Sequence, residues 1–314
     1  FPIVPLANGT RAILTGDQQG YTYAINADTG ARLWGGTGGV RVGTSIQAQP
    51  AVQLNQYADT AFKAANLNRD LVFFVARESA SPRVVALSST TGATVWTVPT
   101  NPSGMGTASG GMMVDYANNV LWIPTRKATG LGGGTLWAFS TLTGLQLGVL
   151  DLGDSDYGVN LDFRSNQLYF TANGTSPARV VAVDVNTRTE AWRFNLPATP
   201  TTWVFPTGNG FIASLSNGTV ARYAVVNNAV VSTPVWTRNV AGPTGITIDY
   251  GTQKIYVGSN DGNVYELATA DGAVTGQARV STSGGVGTPT LDSTAGRLHV
   301  GTMDGRVCAF RVPF

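Results

Sequence analysis

The sequence predicts an all-β fold, a seven-bladed β-propeller of four-stranded antiparallel blades. Three observations predict it. Runs of alternating apolar and polar residues recur through the 314 residues, which is the pattern of strands with one buried face. The same landmarks return about every 45 residues, the length of four short strands with their turns. The 39 glycines and the charged fraction of only 12% favour short strands joined by tight turns over long solvated helices.

The third strand of each unit is the most regular element. It corresponds to seven runs of alternating apolar and polar residues, which are YTYAIN, RVVALS, TLWAFS, RVVAVD, TVARYA, NVYELA and RVCAFR. Several runs follow a D-G or N-G pair, which is the turn chemistry of a tight hairpin. Seven such runs predict seven blades, each covered on both faces by its neighbours.

The first strand of four units ends in an aspartate. These residues are Asp115, Asp162, Asp249 and Asp292. An aspartate in this place accepts a hydrogen bond from the backbone two residues on, so we predict a structural role in the turn. A ring of oxygen ligands around an axial Ca²⁺ is the alternative.

A tryptophan recurs at one place in the fourth strand. The four residues are Trp34, Trp96, Trp192 and Trp236. We predict that each ring covers the seam between adjacent blades and that its indole N–H reaches a backbone carbonyl.

We predict one domain, residues 1–314, with seven consecutive blades. Their expected ranges are 1–36, 46–100, 110–150, 158–197, 201–241, 243–281 and 286–314. The last range lacks a fourth strand, and the N-terminal strand (PIVPL) is expected to close the ring, since an unpaired edge promotes aggregation; that strand is alternatively the first strand of blade 1. Two insertions, 55–70 and 126–134, are expected to protrude.

Composition excludes several classes of function. The net charge is +2 without a basic stripe, so a nucleic-acid surface is not indicated. No apolar run reaches the length of a membrane span. One cysteine and one histidine exclude an internal disulfide and a multi-histidine metal site. Because the chain starts at Phe1 rather than Met, we expect that a signal segment was removed and that the protein is secreted, periplasmic or on the cell surface. A sequence trimmed at its start is the alternative explanation.

The repeat resembles the quinoprotein-like, PQQ-type propeller family. The matching segments combine an IYVGS-type strand, a D-G hairpin and a T-G turn; they are 12–34, 83–96, 135–144, 179–192, 254–272 and 297–311. The resemblance implies a propeller fold. Enzymes of this family resemble eight-bladed chains with a vicinal cysteine pair over the quinone, which a single cysteine cannot supply. The resemblance therefore implies the non-enzymatic, exported branch, with no catalytic residue and no cofactor.

A candidate binding site is predicted where loops between blades meet one mouth of the channel. It contains Asp154, Asp156 and Tyr157 in 152–160 and Arg41 in 40–47, beside a Gly-rich segment, 101–111, that is expected to be flexible. An acidic pair with a tyrosine suits a cation or a sugar hydroxyl. A solvated loop is the other interpretation.

The preferred function is a rigid scaffold that binds other proteins of a cell-envelope or extracellular assembly, without catalysis, because a fold alone confers no chemistry. The first alternative is a lyase or hydrolase of sugars or lactones at the channel mouth with a divalent cation such as Ca²⁺. The second is a sugar-binding lectin that uses Trp122, Trp137 or Trp203.

Overall fold

A computed structural model describes residues 3–6, 8–36, 38–77, 82–98, 104–128, 133–293 and 295–314. The described strands form seven antiparallel sheets in chain order, and the prediction of a seven-bladed β-propeller of four-stranded blades is confirmed. Each sheet is called a blade below and numbered along the chain.

Blades 1 to 3 are built from the first fourteen strands. Blade 1 contains β1 (Ile3–Pro5), β2 (Arg11–Gly16), β3 (Tyr21–Asn26), β4 (Arg32–Trp34) and β5 (Val40–Arg41). Blade 2 contains β6 (Ser45–Ile46), β7 (Ala51–Gln53), β8 (Leu71–Arg77), β9 (Arg83–Ser88) and β10 (Thr94–Thr97). Blade 3 contains β11 (Met113–Asp115), β12 (Val120–Pro124), β13 (Leu136–Ser140) and β14 (Gln146–Leu150).

Blades 4 to 7 contain the remaining strands. Blade 4 has β15 (Val159–Asp162), β16 (Gln167–Ala172), β17 (Arg179–Asp184) and β18 (Thr189–Asn195). Blade 5 has β19 (Phe205–Pro206), β20 (Gly210–Leu215), β21 (Thr219–Val226), β22 (Ala229–Val230) and β23 (Trp236–Asn239). Blade 6 has β24 (Pro243–Asp249), β25 (Lys254–Ser259), β26 (Asn263–Ala268) and β27 (Val274–Arg279). Blade 7 has β28 (Thr290–Asp292), β29 (Arg297–Gly301) and β30 (Val307–Arg311).

The chain divides into two compact units. The first comprises Phe1–Leu161, Ala172–Thr175 and Val183–Thr189. Its hydrophobic clusters join residues of successive blades: one combines blades 1 and 2, and another combines blades 2 and 3. Strand β1 pairs with β2 inside blade 1, in the position of that blade's own first strand. Ring closure by the N-terminal strand stays a prediction.

The second unit comprises Asp162–Thr171, Ser176–Ala182 and Glu190–Phe314. Its clusters again take side chains from pairs of blades, namely 4 with 5, 5 with 6 and 6 with 7. A two-sided sheet cannot bury both faces alone, so a blade depends on its neighbours for its core.

The insertion at 55–70 is folded and anchored to the protein, while most of its residues are exposed; its protrusion stays a prediction. It forms a 3₁₀ turn (Asn55–Tyr57) and a short helix, α1 (Thr60–Ala65). Phe62 is fully buried, and Asp59 caps α1 by accepting a hydrogen bond from the Phe62 amide at 2.8 Å. The other Asp59 carboxylate oxygen accepts from Asn119 Nδ2 at 2.7 Å. Of the second insertion, residues 129–132 lie outside the described residues.

Candidate functional site

The segment between β14 and β15 holds three of the predicted site residues. It packs against residues 125–128, which follow β12, and against residues 173–174, which follow β16. The Lys127 amide donates to Asp154 Oδ1 at 2.8 Å, and the Gly174 amide donates to the Asp154 carbonyl at 3.1 Å. We call residues 104–111, 125–128, 151–158 and 173–174 the loop cluster.

Two ion pairs cross the loop cluster. Arg126 donates through both Nε and Nη2 to the two carboxylate oxygens of Asp156, and Lys127 Nζ lies 2.6 Å from Asp151 Oδ2. The guanidinium of Arg126 holds the pKa of Asp156 below its usual value, although partial burial raises it. A bidentate pair of this kind fixes the geometry of both side chains.

The acidic groups of the loop cluster are therefore occupied by partners within the protein. Asp156 accepts a further hydrogen bond from Asn173 Nδ2 at 3.2 Å, and its own amide donates to Asn173 Oδ1 at 2.8 Å. Tyr157 is half-buried, and burial, followed by the nearby Asp156 charge, raises the pKa of its phenol. An added cation would have to compete with Arg126 and Lys127 for these carboxylates.

Arg41 makes its contacts elsewhere. Its Nε donates to the Gly43 carbonyl at 3.2 Å, and its guanidinium carbon lies 5.8 Å from the centre of the Tyr21 ring. The described contacts thus bring Asp154, Asp156 and Tyr157 into one cluster and leave Arg41 in blade 1. Within the described parts of the chain, no three histidine, cysteine, aspartate or glutamate side chains gather as a metal site.

The Gly-rich segment is closely packed where the structure describes it, so the prediction of flexibility was wrong for residues 104–111; residues 101–103 lie outside the described part. Met105 and Ala108 are buried. A Cβ on Gly110 would overlap the Tyr157 carbonyl, and one on Gly106 would overlap the Arg126 carbonyl. Glycine here permits close approach of two backbones.

The four aspartates at the ends of first strands lie in turns. Oδ1 of each accepts a hydrogen bond from a backbone amide two or three residues later. The pairs are Asp115 with Ala117 at 3.0 Å, Asp162 with Arg164 at 3.0 Å, Asp249 with Gly251 at 2.9 Å and Asp292 with Ala295 at 2.9 Å.

Three of the four seam tryptophans follow one rule. Each indole N–H donates to the backbone carbonyl three residues before the turn glycine of the next blade, and the ring lies against that glycine. The pairs are Trp34 with Ser89 at 2.8 Å, Trp96 with Thr141 at 3.1 Å and Trp236 with Thr269 at 3.1 Å. Trp192 differs: it donates to Gln167 Oε1 of its own blade at 3.1 Å and stacks on Phe211 of blade 5.

Two blades carry glycine where the others carry this tryptophan. In blade 3 the residue is Gly148, and the next turn has Arg188, with φ +57°, in place of a glycine. A Cβ on Gly148 would lie 3.7 Å from Arg188 Cδ, so the arginine stem occupies the side of the seam that tryptophan would fill. Blade 3 thus has glycine in place of the tryptophan, and the facing turn of blade 4 has arginine in place of the glycine.

The second exception is Gly276 in blade 6, where Phe314 takes the place of the indole. A Cβ on Gly276 would overlap the Phe314 carbonyl. The Phe314 amide donates at 2.8 Å to Glu266, a carboxylate that also lies 3.1 Å from Lys254 Nζ. The signal for both exceptions is present in the sequence, since the glycine stands four residues after the turn residue, as the tryptophans do in blades 1, 2 and 4.

The outer strand of blade 3 exposes apolar side chains. Leu145, Leu147 and Val149 are 57%, 39% and 42% exposed. Leu145 directly precedes β14, and Leu147 is the extra residue of a β-bulge, since Gln146 pairs with Phe139 and Gly148 with Ala138. Strands β14 and β10 carry no charged residue, whereas the outer strands β4, β18, β23 and β27 each carry an arginine. The described strand neighbour of β14 is β13. The sequence predicts this strand within blade 3 (110–150), but the exposure of its apolar side chains was not predicted, although LQLGVL contains no charge.

Two of the tryptophans proposed for a lectin site are inaccessible. Trp122 and Trp137 are 1% and 2% exposed, and Trp137 Nε1 donates to Thr125 Oγ1 and to the Gly134 carbonyl, both at 3.2 Å. Neither ring can stack on a sugar from solvent. Trp203 is half-buried beside Phe205.

Comparison with known proteins supports the PQQ-type repeat. Residues 176–312 match a family model described as outer membrane protein assembly factor BamB. The solved structure of BamB from Moraxella catarrhalis is similar, with 19% identity, a TM-score of 0.63, and coverage of 99% of this chain and 84% of that one. A computationally designed protein, Ika8, is also similar, with 14% identity, a TM-score of 0.66, and coverage of 96% and 80%. No curated protein matches the chain. At these identities the structural similarities show the fold.

Proposed function

Since this chain is a β-propeller built from the PQQ-type repeat, we propose that it is an exported, non-catalytic scaffold that binds another protein within a cell-envelope or extracellular assembly. The partner binds as an extended segment along β14. The described residues contain no helix with the length and hydrophobicity needed to cross a bilayer.

The observation that carries this proposal is the outer edge of blade 3. An edge strand presents unpaired N–H and C=O groups, and proteins normally protect such edges with charges, proline or short length. β14 has five residues, Gln146–Leu150, without charge or proline. It carries the exposed side chains of Leu147 and Val149, and the exposed Leu145 comes directly before it. Beside the bulge at Leu147, a partner strand would satisfy backbone groups of this edge and cover these apolar side chains at the same time.

Two further features support a scaffold over an enzyme. The carboxylates of the loop cluster are held by Arg126, Lys127 and Asn173, which leaves them poorly placed as a general acid or base. The name of the matching family model describes an assembly factor of the outer membrane, and its repeat covers residues 176–312 of this chain. An envelope location and a protein partner are in keeping with that name.

The experiment compares Leu147→Lys with Val274→Lys. Val274 is 46% exposed on the outer strand β27, which already carries Arg279, so it is the matched control. The protein is purified from the cells that produce it, and its mass is measured by size exclusion with light scattering. We expect the wild type and Val274→Lys to run as a complex, and Leu147→Lys to run near 32.8 kDa, the mass of one chain. Wild-type protein that runs as a single chain would contradict the proposal, as would equal effects of the two substitutions.

A further inference from the structure

Blade 5 contains a groove beside an irregular connection to its outer strand. In blades 1, 2 and 4 the seam tryptophan stands four residues after the turn residue, but in blade 5 the turn residue Asn228 is followed by Trp236. Asn227 and Asn228 both have positive φ and close a hairpin between β21 and β22. The extra residues then leave the sheet before β23 begins.

The residues between β22 and β23 are hydrogen-bonded to the backbone on either side of Tyr223. The Val231 amide donates to the Ala224 carbonyl at 2.9 Å and the Val235 amide donates to the Arg222 carbonyl at 2.8 Å. The segment 231–235 is thus anchored on both sides of Tyr223. It forms one wall of a groove of about 510 Å³, whose opposite wall is the end of β18 with Phe194 and Asn195. We call this space the Tyr223 groove.

The Tyr223 ring is packed between two other aromatic rings. The side chain is 3% exposed, and its ring lies between Phe194, at 5.1 Å, and Phe211, at 5.2 Å between ring centres. No residue in the described part of the chain hydrogen-bonds to the hydroxyl, and burial alone raises the pKa of this phenol. The hydroxyl is not fully enclosed, because Tyr223 lines the open groove, so it can hydrogen-bond to a polar atom of a ligand there.

The lining of the groove defines the chemistry of that ligand. Its polar members are hydroxyls and amides and none carries a formal charge: Asn195, Asn217, Thr219, Tyr223, Ser232 and Thr237. Phe194, Pro197 and Pro234 supply apolar surface between them. The volume falls within the range of small-molecule sites, about 300–1,000 Å³. Without a positive side chain the groove has no partner for a phosphate or carboxylate group.

From these observations we propose that the Tyr223 groove binds a short, neutral oligosaccharide. A saccharide combines many hydroxyl groups with apolar C–H faces and has no charge, which matches both the polar and the apolar lining. The Tyr223 hydroxyl would bond to a sugar hydroxyl, and the half-buried Phe194 ring would lie against a sugar face. The groove lining shares no residue with β14, and this proposal does not depend on the proposed scaffold function.

The test measures binding of four neutral trisaccharides by calorimetry: maltotriose, cellotriose, mannotriose and N,N′,N″-triacetylchitotriose. Tyr223→Phe removes the hydroxyl and keeps the ring, and we expect it to weaken binding of the best trisaccharide about five- to tenfold. Tyr250→Phe is the matched control, because its hydroxyl donates to the Pro206 carbonyl at 2.9 Å and lies outside the groove lining; its affinity should equal that of the wild type.

Two surface variants keep the test decisive if Tyr223→Phe fails to fold. Ser232→Ala and Thr237→Val change exposed residues of the groove wall, and each should weaken binding. Absence of binding by all four trisaccharides at 10 mM would overturn the proposal, and so would binding that none of the groove variants changes. A proline-rich peptide is included as a competing ligand, since such peptides dock in aromatic-lined grooves; binding of this peptide in place of any trisaccharide would also overturn the proposal.

Discussion

Replacement of Gly92 by alanine tests how much the packing of Trp34 at the seam between blades 1 and 2 contributes to stability, with Gly30→Ala as the reference variant. Gly92 and Gly30 occupy equivalent T-G turns, and both have φ +72°. A Cβ on Gly92 would lie 2.6 Å from Cε3 of Trp34, whereas one on Gly30 would meet no heavy atom within 4 Å. The two substitutions share the backbone cost and differ in the contact with the indole.

The expected difference follows from this geometry. An L-residue in the left-handed region costs about 1–2 kcal/mol, and this cost applies to both variants. At Gly92 the added methyl must displace Trp34, which is 6% exposed and tied to the Ser89 carbonyl at 2.8 Å. Over-packing of this kind adds about 1–3 kcal/mol. We therefore expect a loss of roughly 1–2 kcal/mol for Gly30→Ala and roughly 2–5 kcal/mol for Gly92→Ala.

Urea unfolding followed by circular dichroism and tryptophan fluorescence provides the measurement. The midpoint of Gly92→Ala should lie below that of Gly30→Ala with an unchanged slope, since the exposed surface is the same. Gly144→Ala repeats the test at the next seam, where a Cβ would lie 2.7 Å from Cε3 of Trp96. Equal losses for Gly30→Ala and Gly92→Ala would refute the idea that the indole closes the seam against the turn glycine.

Two further predictions concern the exceptions to the tryptophan rule. Gly148→Trp alone should destabilise the fold by about 1–3 kcal/mol because Arg188 occupies the space, and the double variant Gly148→Trp/Arg188→Gly should recover most of that loss in a double-mutant cycle; strictly additive effects in urea unfolding would contradict the compensation. For Glu266, burial raises the pKa of the carboxyl, but hydrogen bonds from Thr275, the Phe314 amide and Lys254 outweigh burial and leave the pKa lowered. A lowered folded-state pKa gives stability that is present above the unfolded value, about 4.3, and is lost as pH falls through the folded value. Glu266→Gln should therefore destabilise at pH 7 and differ less from the wild type below about pH 4, while Glu190→Gln, in an exposed pair with Arg193, should change stability little at either pH. A pH-independent effect of Glu266→Gln would show that the charge is not the stabilising element.

The strands could be predicted because their signal is local. An alternating run such as RVVALS at 83–88 can bury one face only as a strand, and β9 (Arg83–Ser88) follows the run closely. The helix α1 was not predicted, although the sequence favours it. Asp59 is a good N-cap, and Thr60–Ala65 contains three alanines and a lysine, which favour a helix. A helix has a period of 3.6 residues, so an alternating pattern does not reveal it.

The candidate site could be predicted only in part. Asp154, Asp156 and Tyr157 are close in sequence, so one loop brings them together, but the position of Arg41 depends on how β5 returns onto β3. Glycine content at 104–111 has two opposite meanings, mobility and close backbone approach, and the sequence alone does not separate them. The Tyr223 groove depends on where residues 231–235 leave the sheet, which follows from tertiary hydrogen bonds to Ala224 and Arg222.

The seam exceptions make the blades non-interchangeable, although their backbones repeat. If blades 2 and 3 exchanged places, the indole of Trp96 would meet Arg188, and Gly148 would face a turn built to receive a large ring. The pairs Trp34 with Gly92 and Gly148 with Arg188 are thus complementary contacts that restrict which blade can pack after which. A chain of similar blades needs such specific contacts to assemble in one order, because the backbone hydrogen bonds of strand pairing are the same in every blade.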